Sequence, residues 1–347
     1  MSRSNYRLNE LSLSDLARIG LVLDGQSVID WPRLYCRDVD DAEQVLERVG
    51  FDCSESEDLE RLLELHELAL GYLDLHDYGD VFDEVRSPND IRNLLILASE
   101  DGLTQRDACA VLKVMHIIHH AAGRELVHRL SIPTAELFFR IERNVYQSVD
   151  DMKRKGISIV EWASSRKTEH SIITKLLCRK DSQAAQLHDR LRFRIVTETV
   201  DDVLGVLAHL CRYSIPFGYV VPGESRNELI DFDSTLRNDY RLRKLVDALP
   251  IPTDQHREPN RDNHFTASSY RDVNFVVDMA IRVDDVVSTI KDYEARRSGR
   301  VVFLLAEFQI VDRAQHELNQ KGESAHERYK ARQVARAMRR IRCDLSE

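Results

Sequence analysis

The sequence has no apolar run approaching the ~18 residues that a membrane-spanning helix requires, so a conventional transmembrane segment is not expected. It has no Cys-x-x-Cys pair. Its six cysteines are scattered at positions 36, 53, 109, 178, 211 and 343, which speaks against a zinc knuckle or disulfide framework and reads as reduced thiols. The opening stretch, MSRSNYRLNELSLSD, lacks the oily segment of a signal peptide, and the expected location is the cytoplasm. No internal repeat or low-complexity tract stands out. A net charge of −10 weighs against a dedicated nucleic-acid binder, although local basic patches can still act.

What remains is an ordinary globular composition. The chain of 347 residues is 43% apolar and 31% charged, enough for two domains and a sizeable core. From about residue 40 to 155 the pattern is helical: DLERLLELHELALGYLDLH carries Leu62, Leu63, Leu65, Leu68 and Leu70 in a broad apolar stripe, and TQRDACAVLKVMHIIHH repeats the habit. Strand signals begin only after about residue 190, in LRFRIV, PFGYVV, DVNFVVDMAI and RVVFLLAEFQI. The stretches VDDVLGVLAHLCRY and NDYRLRKLVDALP between them read as helices, and most of 222–269 reads as loop. An all-helical first half followed by alternating strands and helices predicts an α domain joined to an α/β domain, with the boundary near residues 150 to 160.

Strand parity sorts the second half. In SYRDVNFVVDMAI, Val273, Phe275, Val277, Met279 and Ile281 share one face, and Tyr270, Asp272, Asn274, Val276 and Asp278 share the other. The first is a core face and the second a polar surface bearing an aromatic. In VVFLLAEFQIV, Glu307 and Gln309 share a face at the C-terminal end of an oily run, where an open sheet presents its ligand groups. A carboxylate there needs a reason, because a buried unpaired one costs several kcal/mol or changes its pKa. HDRLRFRIV places Asp189 at a strand entry with Arg190, Arg192 and Arg194 on alternate positions, and SRKTEHSIITKLLCRK opens a helix carrying Ser171 and Lys175, with Lys167 before it. Two carboxylates, several cations and a stacking aromatic suit phosphoryl chemistry. Each also has an ordinary reading as a solvated strand face or plain packing, so composition and parity alone reach only a phosphate-handling α/β domain.

Five segments in order extend this. KTEHSIITK supplies Lys167, Ser171, Ile172 and Lys175, and DRLRFR supplies Asp189 and Arg194. SYRDVNF supplies Tyr270 and Asn274, and EFQI supplies Glu307 and Gln309. GESAHERYK supplies Gly322, Ala325, His326, Tyr329 and Lys330. Across about residues 160 to 335 this order resembles the synthetase domain of the RelA/SpoT (ppGpp alarmone) family, a member of the nucleotidyltransferase-like superfamily. The helical pattern of the first half reads as a helical domain over 1–155, regulatory or recognition in role. The resemblance implies that a nucleotidyltransferase-like mixed β-sheet flanked by helices follows over 156–347. It also implies transfer of pyrophosphate from ATP to a nucleotide 3′-hydroxyl, as in stringent-response signalling. Asp189 and Glu307 would serve Mg2+ and the chemistry, with Glu307 either a second metal ligand or the base. Lys167, Ser171, Lys175, Arg194, Tyr270, Asn274, Gln309 and His326 would contact nucleotides, Tyr270 by stacking on the acceptor's base. A guanine nucleotide is the leading acceptor. Departures from the family pattern include Ser165 for an arginine, Val311 for an arginine after the Glu-x-Gln-Ile strand, and Asn274 for a histidine.

Two further readings stay open. The helix RYKARQVARAMRRIR carries Arg328, Lys330, Arg332, Arg336, Arg339, Arg340 and Arg342, an electrostatic footprint that would suit an RNA 3′ end as acceptor. Its ordinary reading is a solvated helix whose stripe of Tyr329, Val334, Ala337, Met338 and Ile341 packs on the sheet. The other is a catalytically inactive nucleotide-sensing module. A homo-oligomer is compatible with any of them. In the first half, His76-Asp77 with His66 is too closely spaced for an HD-type metal hydrolase, and both are expected on a helix surface. His116, His119, His120 and His128 read as polar flank or core-edge residues more readily than as a metal site.

Overall fold

The computed structural model describes residues 11–24, 36–178, 191–232, 234, 270–290, 299–320 and 326–342. Among these residues seven α-helices come first: α1 (Leu13–Asp24), α2 (Val39–Arg48), α3 (Ser56–Leu75), α4 (Asp83–Arg86), α5 (Asn93–Leu97), α6 (Leu103–Leu126) and α7 (Thr134–Arg154). Five strands follow, interleaved with helices: β1 (Ile159–Arg166), α8 (Glu169–Cys178), β2 (Leu191–Thr197), α9 (Val200–Tyr213), β3 (Arg226–Asn227), β4 (Val273–Arg282) and β5 (Val301–Asp312). The expected class, helices first and then a mixed sheet flanked by helices, is the one observed. No helix of the described residues is long and apolar enough to cross a membrane.

The strand order is β1-β2-β5-β4-β3. β2 and β5 run parallel, while β1–β2, β4–β5 and β3–β4 are antiparallel. Register is fixed by an aromatic ladder: Phe193 lies opposite Phe308, and Phe308 opposite Phe275. Their ring centroids are 5.2 and 5.4 Å apart, and all three side chains are fully buried. A one-residue slip would carry every phenylalanine to the opposite face, so this ladder also fixes which residues stand on the other side.

The core face of the sheet packs against α1, α7 and α9. Leu16, Ile19, Leu137, Ile141, Val145, Val149 and Met152 join Phe193, Phe275 and Phe308 in one continuous cluster. A second cluster lies wholly within the first half, among α1 to α6, and includes Leu46, Phe51, Leu65, Leu94 and Leu112. Helix α9 begins with a reciprocal cap in which Thr199 and Asp202 bond one another's backbone N–H, satisfying donors that the first helical turn leaves open.

Three expectations need correction. Strand structure starts before residue 190: IVEWASSR forms β1, an edge strand whose mostly exposed residues hide the usual apolar alternation. PFGYVV is a single 3-10 turn over Phe217–Tyr219 followed by an isolated bridge at Val220, because Pro216 sets a turn in its place. Among its described residues, the stripe on the helix His326–Ile341 does not pack on the sheet. That helix lies against α8, where Arg340 Nη1 donates to the Leu177 carbonyl at 2.8 Å. Ala337 is buried there, but Val334, Met338 and Ile341 stay exposed. The side chain of Tyr329 and the expected helix NDYRLRKLVDALP lie outside the described residues.

Candidate active site

On β5 the even-numbered residues Val302, Leu304, Ala306, Phe308 and Ile310 belong to the core, so pleating turns Glu307 and Gln309 to the opposite face. The same logic turns out Arg192 and Arg194 on β2, and Asn274 with Asp278 on β4. Cross-strand register then pairs Arg192 with Glu307, and Arg194 with both Gln309 and, one strand further, Asn274. β5 continues to Asp312, paired with β2, so Glu307 and Gln309 stand within the strand rather than at its end as expected.

The side chains form two polar clusters, side by side on the sheet. Arg192 Nε donates to Glu307 Oε2 at 2.8 Å, and Asn274 Nδ2 donates to Glu307 Oε1 at 2.7 Å. Glu307 is only 6% exposed, so these two donors hold the charge of a carboxylate largely removed from water. Arg194 Nε donates to Gln309 Oε1 at 2.9 Å, while Gln309 Nε2 donates to the Tyr270 hydroxyl and, at 2.6 Å, to Asp272 Oδ2. Among the described residues the two terminal nitrogens of Arg194 take no partner. Arg226 Nη2 donates to Asp272 Oδ1 at 2.6 Å, and its guanidinium lies 5.5 Å from the centroid of the Tyr270 ring. Burial pushes the Tyr270 phenol up to about 12, reinforced by the Asp272 carboxylate. For Arg226, burial works against the charge, but Asp272 outweighs it and raises the pKa.

Local structure places Tyr270. Asp312 accepts from the backbone N–H of Ala314 and Gln315, starting the helix Arg313–Asn319 directly after β5. At that helix's end Asn319 clamps Arg271: its Nδ2 donates to the Arg271 carbonyl at 2.8 Å, and its Oδ1 accepts from the Arg271 N–H at 3.2 Å. The backbone next to Tyr270 is thereby anchored at the mouth of β4.

The structure thus gathers Glu307, Gln309, Asn274, Arg194 and Tyr270. Lys167 follows β1, whose neighbour Ser165 lies opposite Arg192. Ser171 is engaged locally, its Oγ lying 3.0 Å from Thr168 Oγ1 in the first turn of α8. Arg166, beside Ser165, forms a two-pronged pair with Glu142 on α7. Asp189 and Arg190 lie outside the described residues, as do the side chains of Lys175 and His326. Arg226 and the role of Asp272 escaped the sequence reading. Arg226 sits in a stretch that reads as loop, and only its pairing opposite Asn274 brings it to the site.

His66 and His119 of the first half are buried packing residues, whereas His76 and His128 are exposed. His66 is buried with Nε2 2.9 Å from the Val85 carbonyl, not on the helix surface as expected, while His76 lies tilted against the Tyr72 ring and Asp77 adopts a turn with φ 51°. His119 lies between Phe51 and Phe303, His116 stacks on Tyr219 at 4.1 Å, and His120 Nε2 is 2.7 Å from Asp278 Oδ2.

No family model matches this chain, and no curated protein does. Solved structures similar to it include small alarmone synthetase 2 from Bacillus subtilis, at 15% identity over 60% of this chain and 96% of the other, with a TM-score of 0.30. Small alarmone synthetase 1 from the same organism, bound to its product pppGpp, is 18% identical over 60% and 86%, with a TM-score of 0.27. A GTP pyrophosphokinase family protein from Streptococcus pneumoniae is 20% identical over 60% and 83%, with a TM-score of 0.28. Likeness this distant does not decide an activity.

Proposed function

We propose that this chain is a magnesium-dependent pyrophosphotransferase that moves the β,γ-pyrophosphoryl group of ATP to the 3′-hydroxyl of a nucleotide, with a guanine nucleotide as the leading acceptor. The observation that carries the proposal is the pair of polar clusters on this sheet face, where two buried carboxylates, Glu307 and Asp272, stand among arginines beside a tyrosine ring. In this reaction the acceptor 3′-oxygen bonds to the β-phosphorus, the bond from that phosphorus to the α–β bridging oxygen breaks, and AMP leaves. The proton of the 3′-hydroxyl goes to a base, for which Glu307 is the candidate. Arg194 offers the planar fork that suits phosphate oxygens. The half-buried Tyr270 ring has Arg226 on it and can take a nucleobase by stacking.

Magnesium takes oxygen ligands, often one or two carboxylates completed by substrate phosphates. Glu307 fits that chemistry, since each of its oxygens has a lone pair beyond the bond to Arg192 or Asn274. Asp189 and Glu307 would hold the ion, which supplies neutralisation of the anionic phosphoryl oxygens. Residues 1–155 would act as a regulatory or recognition unit.

The test is direct. Purified protein given ATP, magnesium and GTP or GDP is expected to release AMP and a 3′-pyrophosphorylated nucleotide, and Asp189→Ala or Glu307→Ala to abolish both. Absence of AMP and of product with every guanine and adenine nucleotide overturns the reading. A nucleotide-sensing module is the second reading, favoured by the fact that both Glu307 oxygens already accept hydrogen bonds; binding that depends on Tyr270 without turnover would support it. Exposed Arg339 on the helix His326–Ile341 and exposed Arg342 just beyond it favour, as a third reading, an RNA 3′ end as acceptor, for which label moving from ATP onto tRNA is the sign.

A further inference from the structure

Arg192 and Arg194 stand two residues apart on one face of β2, about 7 Å from each other along the strand. Each is gripped through Nε by the residue directly opposite on β5. The two grips differ in charge. Gln309 is neutral and leaves Arg194 a net cation, whereas Glu307 neutralises Arg192. The Arg192 side chain is 26% exposed and that of Glu307 only 9%, so the arginine is the member of the pair that an incoming ligand meets first.

We infer that Arg192 is a phosphate-binding residue held in reserve on Glu307, and that arrival of a polyphosphate transfers Arg192 to the ligand and releases Glu307. The inference rests on the phosphate-handling reading proposed above and extends it to a residue to which that reading gives no role. A buried carboxylate stripped of the cation that pairs with it is strongly unfavourable, so Glu307 stays locked in the absence of ligand. A guanidinium forms charge-assisted, two-pronged bonds to phosphate at least as well as to carboxylate. The exchange therefore conserves charge: Arg192 gains an anion while Glu307 becomes free to take another cation. With Arg194 beside it, Arg192 completes a pair of forks on one strand that can span successive phosphates. Locking would also keep Glu307 from acting on a hydroxyl before the phosphate donor has bound.

Calorimetric titration of the full chain with inorganic tripolyphosphate, without metal, tests this as a cycle of four proteins: wild type, Arg192→Gln, Glu307→Gln and the double variant. Arg192→Gln is expected to weaken binding about tenfold, and Glu307→Gln to tighten it about tenfold by unlocking Arg192. The tightening is expected to vanish in the double variant, because it acts through Arg192. Should Arg192→Gln fail to fold, Arg192→Lys keeps a cation for Glu307 but lacks the planar fork, and is expected to weaken binding likewise. If Glu307→Gln tightens binding equally in both backgrounds, or substitution of Arg192 changes nothing, the reserve role is overturned while the phosphate-handling reading stands. If the wild type binds neither tripolyphosphate nor a non-hydrolysable ATP analogue with magnesium, that reading fails and takes this inference with it.

Discussion

Tyr270 presents two groups, a ring and a phenol, and substitution separates them. The phenol accepts from Gln309 Nε2, but that amide also donates to Asp272 and keeps its orientation if the phenol is lost. With its pKa pushed up to about 12, the phenol stays neutral at physiological pH and carries no charge to a ligand. Tyr270→Phe is therefore expected to keep nucleotide affinity within about threefold, whereas Tyr270→Ala loses the stacking surface, worth ~1–3 kcal/mol, or about 5- to 150-fold. Fluorescence titration with a labelled guanine nucleotide reads both; equal losses in the two variants would assign Tyr270 a hydrogen-bonding role instead. At this scale the sequence was readable where chemistry clashed with context. A glutamate in the oily run VVFLLA-EFQIV demanded a partner, and the structure supplies Arg192 and Asn274. The contact between Arg226 and Asp272 was not readable, because the two lie 46 residues apart and meet only through strand pairing.

Among the elements, β2, β4, β5 and α9 could be read from the chain because their apolar periods are strong and uninterrupted. β1 could not, since an edge strand paired on one side only and facing solvent needs no apolar alternation. The position of α6 was equally hidden, and a single glycine explains it. A Cβ at Gly123 would lie 2.5 Å from the Phe303 ring and 2.8 Å from the Val301 carbonyl oxygen, so helix and strand backbones touch where no side chain intervenes. Gly123→Ala gains up to ~1 kcal/mol in helix propensity but forces α6 away from β5, an overpacking cost of ~1–3 kcal/mol. Backbone atoms cannot swing aside as a flexible side chain would, so the clash should win. A lower melting temperature than the wild type is the expected outcome; an unchanged or higher one would mean that α6 shifts without cost.

For the molecule as a whole, the first half meets the sheet along a seam lined by histidines, at the end of β5 remote from Glu307. His119 is wedged between Phe51 and Phe303 with Nε2 3.1 Å from the Val49 carbonyl, and His116 lies on Tyr219. Around them stand His120 with Asp278, Arg124 also on Asp278, and Arg61. Nearby, Arg282 reaches from β4 to Asp58 on α3 and to the Gly50 carbonyl, so the seam is closed by ion pairs as well as rings. Burial is the main reason that His119 is pushed down to about 4 and His116 to about 3. An unfolded histidine takes its proton near pH 6.5, so between there and about 4 the unfolded chain binds protons that the folded seam refuses. Stability from these residues is thus complete above about pH 7 and declines as pH falls through that window. For the two histidines together the loss between pH 7 and pH 5 is on the order of 3 kcal/mol. His119→Gln retains a donor for the Val49 carbonyl but cannot titrate. Urea unfolding at pH 7 and pH 5 is therefore expected to show a pH difference smaller than the wild type's by the share of one histidine, on the order of 1.5 kcal/mol, since every other titrating group is common to both proteins. An undiminished difference would move the acid sensitivity away from the seam and onto the carboxylates of the ion pairs.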